Sequence, residues 1–210
     1  MQKIVIFDMD GTLIDSKKDI TLAINAIRRD HYNLAPLSEA FVVESINRDE
    51  RNLPKLFYGT QNYELQDREA FEKIYAKQCI QNVYLYDGVL EMLQQLVAAG
   101  VKLGVATNAP SKFAKIMLES LGVASMFEII IGADAVKESK PNPEMLQKVL
   151  EQCHYRAGRD RAWMVGDSAK DIQSAQNAKI EAVFVTWGFS PNSSYSSFIK
   201  EPKELLSIVL

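Results

Sequence analysis

Lys3-Ile4-Val5-Ile6-Phe7-Asp8-Met9-Asp10-Gly11-Thr12 is the stretch from which the fold can be read. Its first five residues are an apolar, β-branched run of strand length, the pattern of a strand buried on both faces of a sheet. Asp8 and Asp10 follow at once, where the chain is still leaving the core. Acidic groups persist in such a place when they coordinate a cation, meet a basic partner or do chemistry. Residues i and i+2 of an extended chain point the same way, so Asp8 and Asp10 can face one site. Gly11 lets the backbone turn sharply and approach a ligand closely.

Alone, this pattern also fits a strand-end turn with solvated acids. What recurs later decides otherwise. Val101 to Ala106 is a second buried-strand candidate, ending in Thr107-Asn108. Phe127 to Ile131 is a third, with Lys140-Pro141-Asn142-Pro143 beyond it, and Arg161 to Val165 is a fourth, ending in Gly166-Asp167. Glu181 to Thr186 is a fifth. Helical stripes lie between them: Val89, Leu90, Leu93, Leu96 and Val97 before the stop signal Gly100, then Ser111 to Leu121 with Ser111 as its cap. Met145, Leu146, Val149 and Leu150, then Ser168 to Ala178, and a closing helix from Glu204 to Val209 complete the set. Strands alternating with helices mean parallel βαβ units. The expected fold is α/β, a Rossmann-like parallel sheet core with helices on both faces. Such sheets bind ligands at the carboxyl ends of their strands. Asp8 and Asp10, Thr107, Lys140, and Asp167 with Asp171 therefore converge from four strand exits on one edge.

The stretch from about 17 to 80 has no strand pattern. Ile20, Ala23, Ile24 and Ile27 recur at helical spacing after Ser16, a candidate cap; Phe41, Val42 and Ile46 follow Pro36 and Ser38. Pro54 opens or breaks a turn, and Leu65 to Cys79 is amphipathic with Phe71, Ile74 and Tyr75 as its stripe. The expected organisation is a core of residues 1–15 and 82–210 and an all-helical cap, 16–81, inserted after the first strand. Ser190 to Ser197 is a polar, serine-rich surface loop by composition.

Composition narrows the class. The 210 residues are 47% hydrophobic and 24% charged, ordinary for a globular protein with a sizeable core. A net charge of -3 and a pI near 5.5 argue against a nucleic-acid surface. Cys79 and Cys153 have no metal-type spacing, which points to a reducing compartment. The N-terminus reads as a strand rather than a signal peptide, and no apolar run reaches spanning length. A cytoplasmic protein without membrane or nucleic-acid partners is expected.

Carboxylates gathered in a small space repel one another unless a cation sits among them. With only oxygen ligands on offer, Mg²⁺ is the expected ion. The Thr107 hydroxyl and the Lys140 ammonium supply donors for an anion beside it. Together these groups are a kit for phosphoryl transfer.

On these residues the chain resembles the haloacid dehalogenase superfamily, in particular its phosphoglycolate phosphatase-like members. Four ordered motifs carry the resemblance: Asp8-Met9-Asp10-Gly11-Thr12, Thr107-Asn108, Lys140-Pro141-Asn142-Pro143 and Gly166-Asp167-Ser168-Ala169-Lys170-Asp171. It implies a Mg²⁺-dependent phosphatase acting on a small phosphorylated metabolite through an aspartyl-phosphate. By position, Asp8 is the nucleophile and Asp10 the general acid and base, giving the metal only its backbone carbonyl. Thr107 binds the phosphoryl group beside the Asn108 backbone, and Lys140 neutralises Asp8 and the phosphate. Asp167 ligates the metal and Asp171 supports it, directly or through water. Gly11 and Thr12 join the expected substrate-binding turns. Arg48 and Arg51 read either as a solvated helix-loop face or as a contact from the cap to a substrate anion; His31 and His154 read as structural.

The chain departs from the family pattern in two places. Ser45 to Asn52 lacks the glycine that related caps often carry, and Ala178-Lys179 stands where relatives usually have a glycine after the last motif helix. A sugar-phosphate mutase of the same superfamily is the nearest rival reading. A phosphonate-cleaving enzyme would need a cap lysine, with Lys17 and Lys18 near the right region. A signalling receiver would place its acceptor aspartate after the third strand and carry no helical insert. A non-catalytic binding scaffold would release no phosphate. Either a monomer or a homodimer fits.

Overall fold

The computed structural model describes residues 1–48, 52–190, 195 and 198–210. The elements run in order β1 (Lys3–Phe7), β2 (Ile14–Asp15), α1 (Lys17–Tyr32), α2 (Glu39–Asn47), α3 (Leu53–Tyr58), α4 (Leu65–Gln78), β3 (Tyr84–Leu85) and α5 (Val89–Ala98). They continue with β4 (Lys102–Thr107), α6 (Ser111–Ser120), β5 (Ile129–Gly132), α7 (Glu144–Gln152), β6 (Arg161–Gly166), α8 (Ala169–Ala178), β7 (Glu181–Val185), β8 (Phe198–Ile199) and α9 (Glu204–Val209). The chain forms two compact units, one of Met1–Asp15 with Tyr84–Leu210 and one of Ser16–Val83.

In the first unit, six parallel strands are ordered β5-β4-β1-β6-β7-β8. β1 lies in the middle because each of its residues is buried whichever way it points, apart from Lys3 at the strand's start. Ile4 and Ile6 pack with Met164 of β6 and with Met145, Leu146 and Val149 of α7. Val5 and Phe7 point to the other face and are just as buried, so that face is covered too. The chain winds from β1 out to β4 and β5, then crosses back to β6. This places the switch point between β1 and β6, where open sheets bind their ligands. Phe7 pairs with Val105 on one side and Val165 on the other, so the exits of β4 and β6 flank Asp8.

Three elements of this unit escaped the sequence reading. β2 and β3 form a two-stranded antiparallel ribbon, and β8 adds an edge strand after the serine-rich tract. Two-residue strands are too short to show a period. Ser111 is not the cap of α6, since Pro110 holds that position. The Ser111 hydroxyl instead donates to Asp134 Oδ1 at 2.7 Å and accepts from the Gly132 N–H at 2.8 Å.

The second unit holds helices only, among the described residues. Ile24 and Ile27 of α1, Val42 of α2 and Phe57 and Tyr58 of α3 form its core, with Phe71 and Ile74 of α4 packed on it. The helix α3 was read only as a turn at Pro54. Asn52 caps it by accepting from the Lys55 N–H, Pro54 lies in its first turn, and Gly59 ends it at φ 77°. The boundary falls after Val83 rather than Gln81 because Asn82 is tied to α1. Its N–H donates to Asp19 Oδ2 at 2.9 Å and its amide to Asp19 Oδ1 at 2.6 Å. Ser16 occupies the N-cap of α1 without a capping hydrogen bond from its side chain. His31 has a partner that the sequence did not reveal, Asp67, at 2.6 Å across the end of α1 and the start of α4. His154 takes a positive φ of 57° just after α7. No helix among the described residues is long and apolar enough to cross a membrane.

Candidate active site

Asp8 leaves β1 with its N–H bonded to the Val165 carbonyl at 2.8 Å, so β6 holds the backbone of the first acid. The chain then folds tightly, the N–H groups of Thr12, Leu13 and Ile14 all reaching the Met9 carbonyl. Gly11 makes this turn at φ 85°, and a Cβ there would overlap the Asp167 carboxylate. The exit of β1 and the exit of β6 are thus packed against each other.

Lys140 is the hub of the site. Its side chain is 2% exposed, and its ammonium donates to Asp8 Oδ1 at 2.8 Å and Asp171 Oδ1 at 2.6 Å. Lys137, three residues earlier, is exposed instead, and its N–H donates to Glu144 Oε2 at 3.0 Å. Asn108 fixes the Lys140 backbone with both ends of its amide. Oδ1 accepts from the Lys140 N–H at 3.0 Å and Nδ2 donates to the Lys140 carbonyl at 3.2 Å. This side-chain grip was not foreseen. Thr107 is buried, and its hydroxyl oxygen accepts from the Ala109 N–H at 3.1 Å, which leaves the hydroxyl proton to donate elsewhere.

Asp171 is fully buried at the start of α8. Its Oδ2 accepts from the Ser168 N–H and hydroxyl, a reciprocal cap, while its Oδ1 holds Lys140. Asp167 Oδ2 accepts from the Phe189 N–H at 2.7 Å, and its Oδ1 from the Thr12 hydroxyl at a long 3.4 Å. Asp10 is half-buried, and its backbone bridges to Ile14. Ala178-Lys179 ends α8 without a glycine, because Lys179 itself takes the left-handed position at φ 58°. Arg48 belongs to the helical unit, where its guanidinium pairs with Glu44 at 2.7 Å. Arg51 lies outside the described residues.

Burial, with the nearby Asp171 carboxylate, pushes the Asp8 carboxyl up to about 7, against the pull of Lys140. Burial raises Asp167 well above the usual carboxylate range, helped by Asp8 and Asp171 and opposed by the Phe189 N–H. Burial also opposes the charge on Lys140, yet Asp171 and Asp8 outweigh it and hold its pKa above the ordinary value. Lys140 thus bonds two of the three neighbouring acids, Asp8 and Asp171, and burial still holds Asp8 and Asp167 above the usual carboxylate range.

One oxygen from each of Asp8, Asp167 and Asp171 lies within 4.8 Å of the others. Two oxygens across an octahedral Mg²⁺ ion would be about 4.2 Å apart, so the set has nearly the right span. It is also all oxygen, buried and short of positive charge, which fits a hard divalent cation.

The family profile of the haloacid dehalogenase-like hydrolases matches residues 5–185. The chain is 35% identical over 200 residues to a phosphoglycolate phosphatase of Rhodospirillum rubrum, covering 90% of this chain and 82% of that protein. It is 30% identical over 216 residues to an N-acetylmuramic acid 6-phosphate phosphatase of Pseudomonas aeruginosa, covering 99% and 94%. Among solved structures, a predicted phosphoglycolate phosphatase of Haemophilus somnus superposes with a TM-score of 0.84. That pair is 25% identical, with 100% of this chain and 98% of that one covered.

Proposed function

Because the chain belongs to the haloacid dehalogenase-like hydrolase family, we propose that it hydrolyses a small phosphomonoester through an aspartyl-phosphate on Asp8. One observation carries this reading. Asp8 has one oxygen pinned by Lys140, while its Oδ2 makes no hydrogen bond among the described residues. A buried carboxylate held on one side and uncommitted on the other is oriented for in-line attack.

In the proposed reaction Asp8 Oδ2 attacks phosphorus as the bond to the leaving oxygen breaks. Asp10, two residues on, protonates that oxygen, and the alcohol departs. Asp10 then takes a proton from water, which attacks the acyl-phosphate, releases phosphate and restores Asp8. Lys140 and the Thr107 hydroxyl offset charge on the phosphoryl oxygens. Asp8 and Asp167, with the Asp10 carbonyl, would hold Mg²⁺, which when bound supplies further positive charge for those oxygens. Asp171, whose oxygens hold Lys140 and cap α8, would support the ion directly or through water while keeping Lys140 in place. Gly11, Thr12 and Asn108 shape the turns around the phosphate.

All of these groups sit in the unit of 1–15 and 84–210. Selection of the substrate is therefore assigned to the helical unit Ser16–Val83. Phosphoglycolate is the first candidate, since relatives of that name match over most of the chain. The test is phosphate release by the full chain from phosphoglycolate, N-acetylmuramic acid 6-phosphate, sugar phosphates and a generic aryl phosphate, with Mg²⁺ and with chelator. Free phosphate should appear only with Mg²⁺. Asp8→Asn should abolish it while the melting curve stays cooperative. An isomerised sugar phosphate without free phosphate, or activity surviving in Asp8→Asn, would overturn the proposal.

A further inference from the structure

We propose that Trp187 is a positioning residue for Asp167, acting through the loop after β7; this rests on reading Asp167 as a ligand of a divalent cation. The Phe189 N–H sets the Asp167 carboxylate by donating to Oδ2 at 2.7 Å. A backbone amide can hold a ligand in one rotamer only if the loop that carries it is itself fixed. Two tethers fix this one. At its start, the Thr186 N–H and hydroxyl both reach the Ile199 carbonyl, at 3.1 and 3.3 Å. Next to the site, the Trp187 indole N–H donates to the Thr12 carbonyl at 3.0 Å.

The loops also meet with no spare room. A Cβ on Gly188 would overlap the Gly11 carbonyl oxygen and come within 2.7 Å of Asp167 Oδ2. The turn after β1, the exit of β6 and the loop after β7 therefore touch at one point, and the indole bond is the side-chain pin beside it. Without that bond, Phe189 keeps its amide but not its placement. The Asp167 carboxylate then has to be ordered by the cation at the moment of binding. Metal affinity falls, whereas chemistry in the fully loaded enzyme does not.

The experiment measures Mg²⁺ alone binding to the metal-free full chain by calorimetry, in the native protein, Trp187→Phe and Asp167→Asn. Phenylalanine keeps an aromatic ring and deletes the donor. Partners that orient metal ligands are worth roughly 10–100-fold in affinity, and an indirect pin should sit near the lower end, about tenfold. The Mg²⁺ concentration for half-maximal rate should rise by the same factor, with kcat at saturating Mg²⁺ and KM within about twofold. Undiminished Mg²⁺ binding by Asp167→Asn would overturn the ligand reading and this proposal with it. Lost binding in Asp167→Asn beside native affinity in Trp187→Phe would overturn the positioning role alone. So would a kcat that falls in Trp187→Phe with Mg²⁺ affinity unchanged. A second measurement covers the case in which Trp187→Phe does not fold. Trp187 and Trp163 are the two tryptophans of the chain, and Trp187 lines an open cavity of about 610 Å³ with Tyr84 and Tyr86. In Trp163→Phe, its emission should hold its wavelength from the metal-free protein to saturating Mg²⁺, since the pin is set before the cation arrives. A shift that follows the calorimetric midpoint would show a loop ordered by the cation and would overturn the proposal.

Discussion

Lys140→Met removes the one ammonium shared by Asp8 and Asp171 and keeps much of the side-chain volume. Breaking a buried ion pair from one side costs about 3–5 kcal/mol, because the partner stays buried and uncompensated. Lys140 has two such partners, but one of them can escape by taking a proton. In the native fold burial first, and Asp171 next, push the Asp8 carboxyl up from its ordinary value to about 7. Folding thus favours its protonated form. That contribution is complete below the unfolded value and is lost as pH climbs through 7. Deleting Lys140 removes the influence that lowers Asp8, so the loss moves to higher pH. In chelator at about pH 8 the variant should sit about 3–5 kcal/mol below the native protein, a fall of roughly 6–20 °C in melting temperature. At about pH 5.5, with Asp8 protonated in both, the gap should shrink. Thermal unfolding at the two pH values reads this directly, through tryptophan emission, to which the buried Trp163 of β6 contributes. A gap that is absent, or equal at both pH values, would refute the charge-sharing argument. Activity with Mg²⁺ should fall by about 10²–10³, the usual loss for a preorganised group that stabilises transition-state charge.

Mg²⁺ should raise the melting temperature of the native protein more at about pH 8 than at about pH 6, because Asp8 and Asp167, both held high by burial and neighbouring acids, must shed protons to bind it. Equal shifts would remove these two carboxylates as the ligands. Gly188→Ala forces a Cβ into the Gly11 carbonyl, a backbone atom that cannot swing aside, so a loss of about 1–3 kcal/mol and a weakened Mg²⁺ response are expected. A variant with native melting and native Mg²⁺ affinity would show that the two loops do not meet there. Arg48→Ala deletes an exposed pair one helical turn apart, worth about 0.3–0.5 kcal/mol, so melting should hardly move. A raised KM for the preferred substrate, with a generic aryl phosphate unaffected, would place Arg48 on the substrate; unchanged KM for both would take it off.

What could be read from sequence was whatever a residue type announces at a strand exit. An apolar run followed by two acids signals both burial and an exposed end, so the place of Asp8 in the sheet needed no coordinates. Lys140 was harder, lying well beyond the end of β5, and only its place in the ordered motif Lys140-Pro141-Asn142-Pro143 marked it. The signal for α3 was present in Asn52, Pro54 and Gly59 and went unused. The grip of Asn108 on Lys140 was out of reach, since an asparagine after a strand is an ordinary turn residue. So was the contribution of the fifth exit. Its donor is the Phe189 backbone N–H, and a main-chain amide leaves no mark in the sequence of residue types.

Asp171 shows why structural and catalytic readings of one residue need not compete. As a first-turn acid it could be explained by the helix alone, and its Oδ2 does cap α8 through Ser168. That same cap aims its other oxygen at Lys140, and Lys140 in turn pins Asp8. Asp167 divides its oxygens in the same way between Thr12 and Phe189. A carboxylate with both oxygens committed has little rotamer freedom left to lose when a cation or phosphate arrives. Asp8 is the exception, with one oxygen held and one open, and that asymmetry is what suits it to the attack proposed for it.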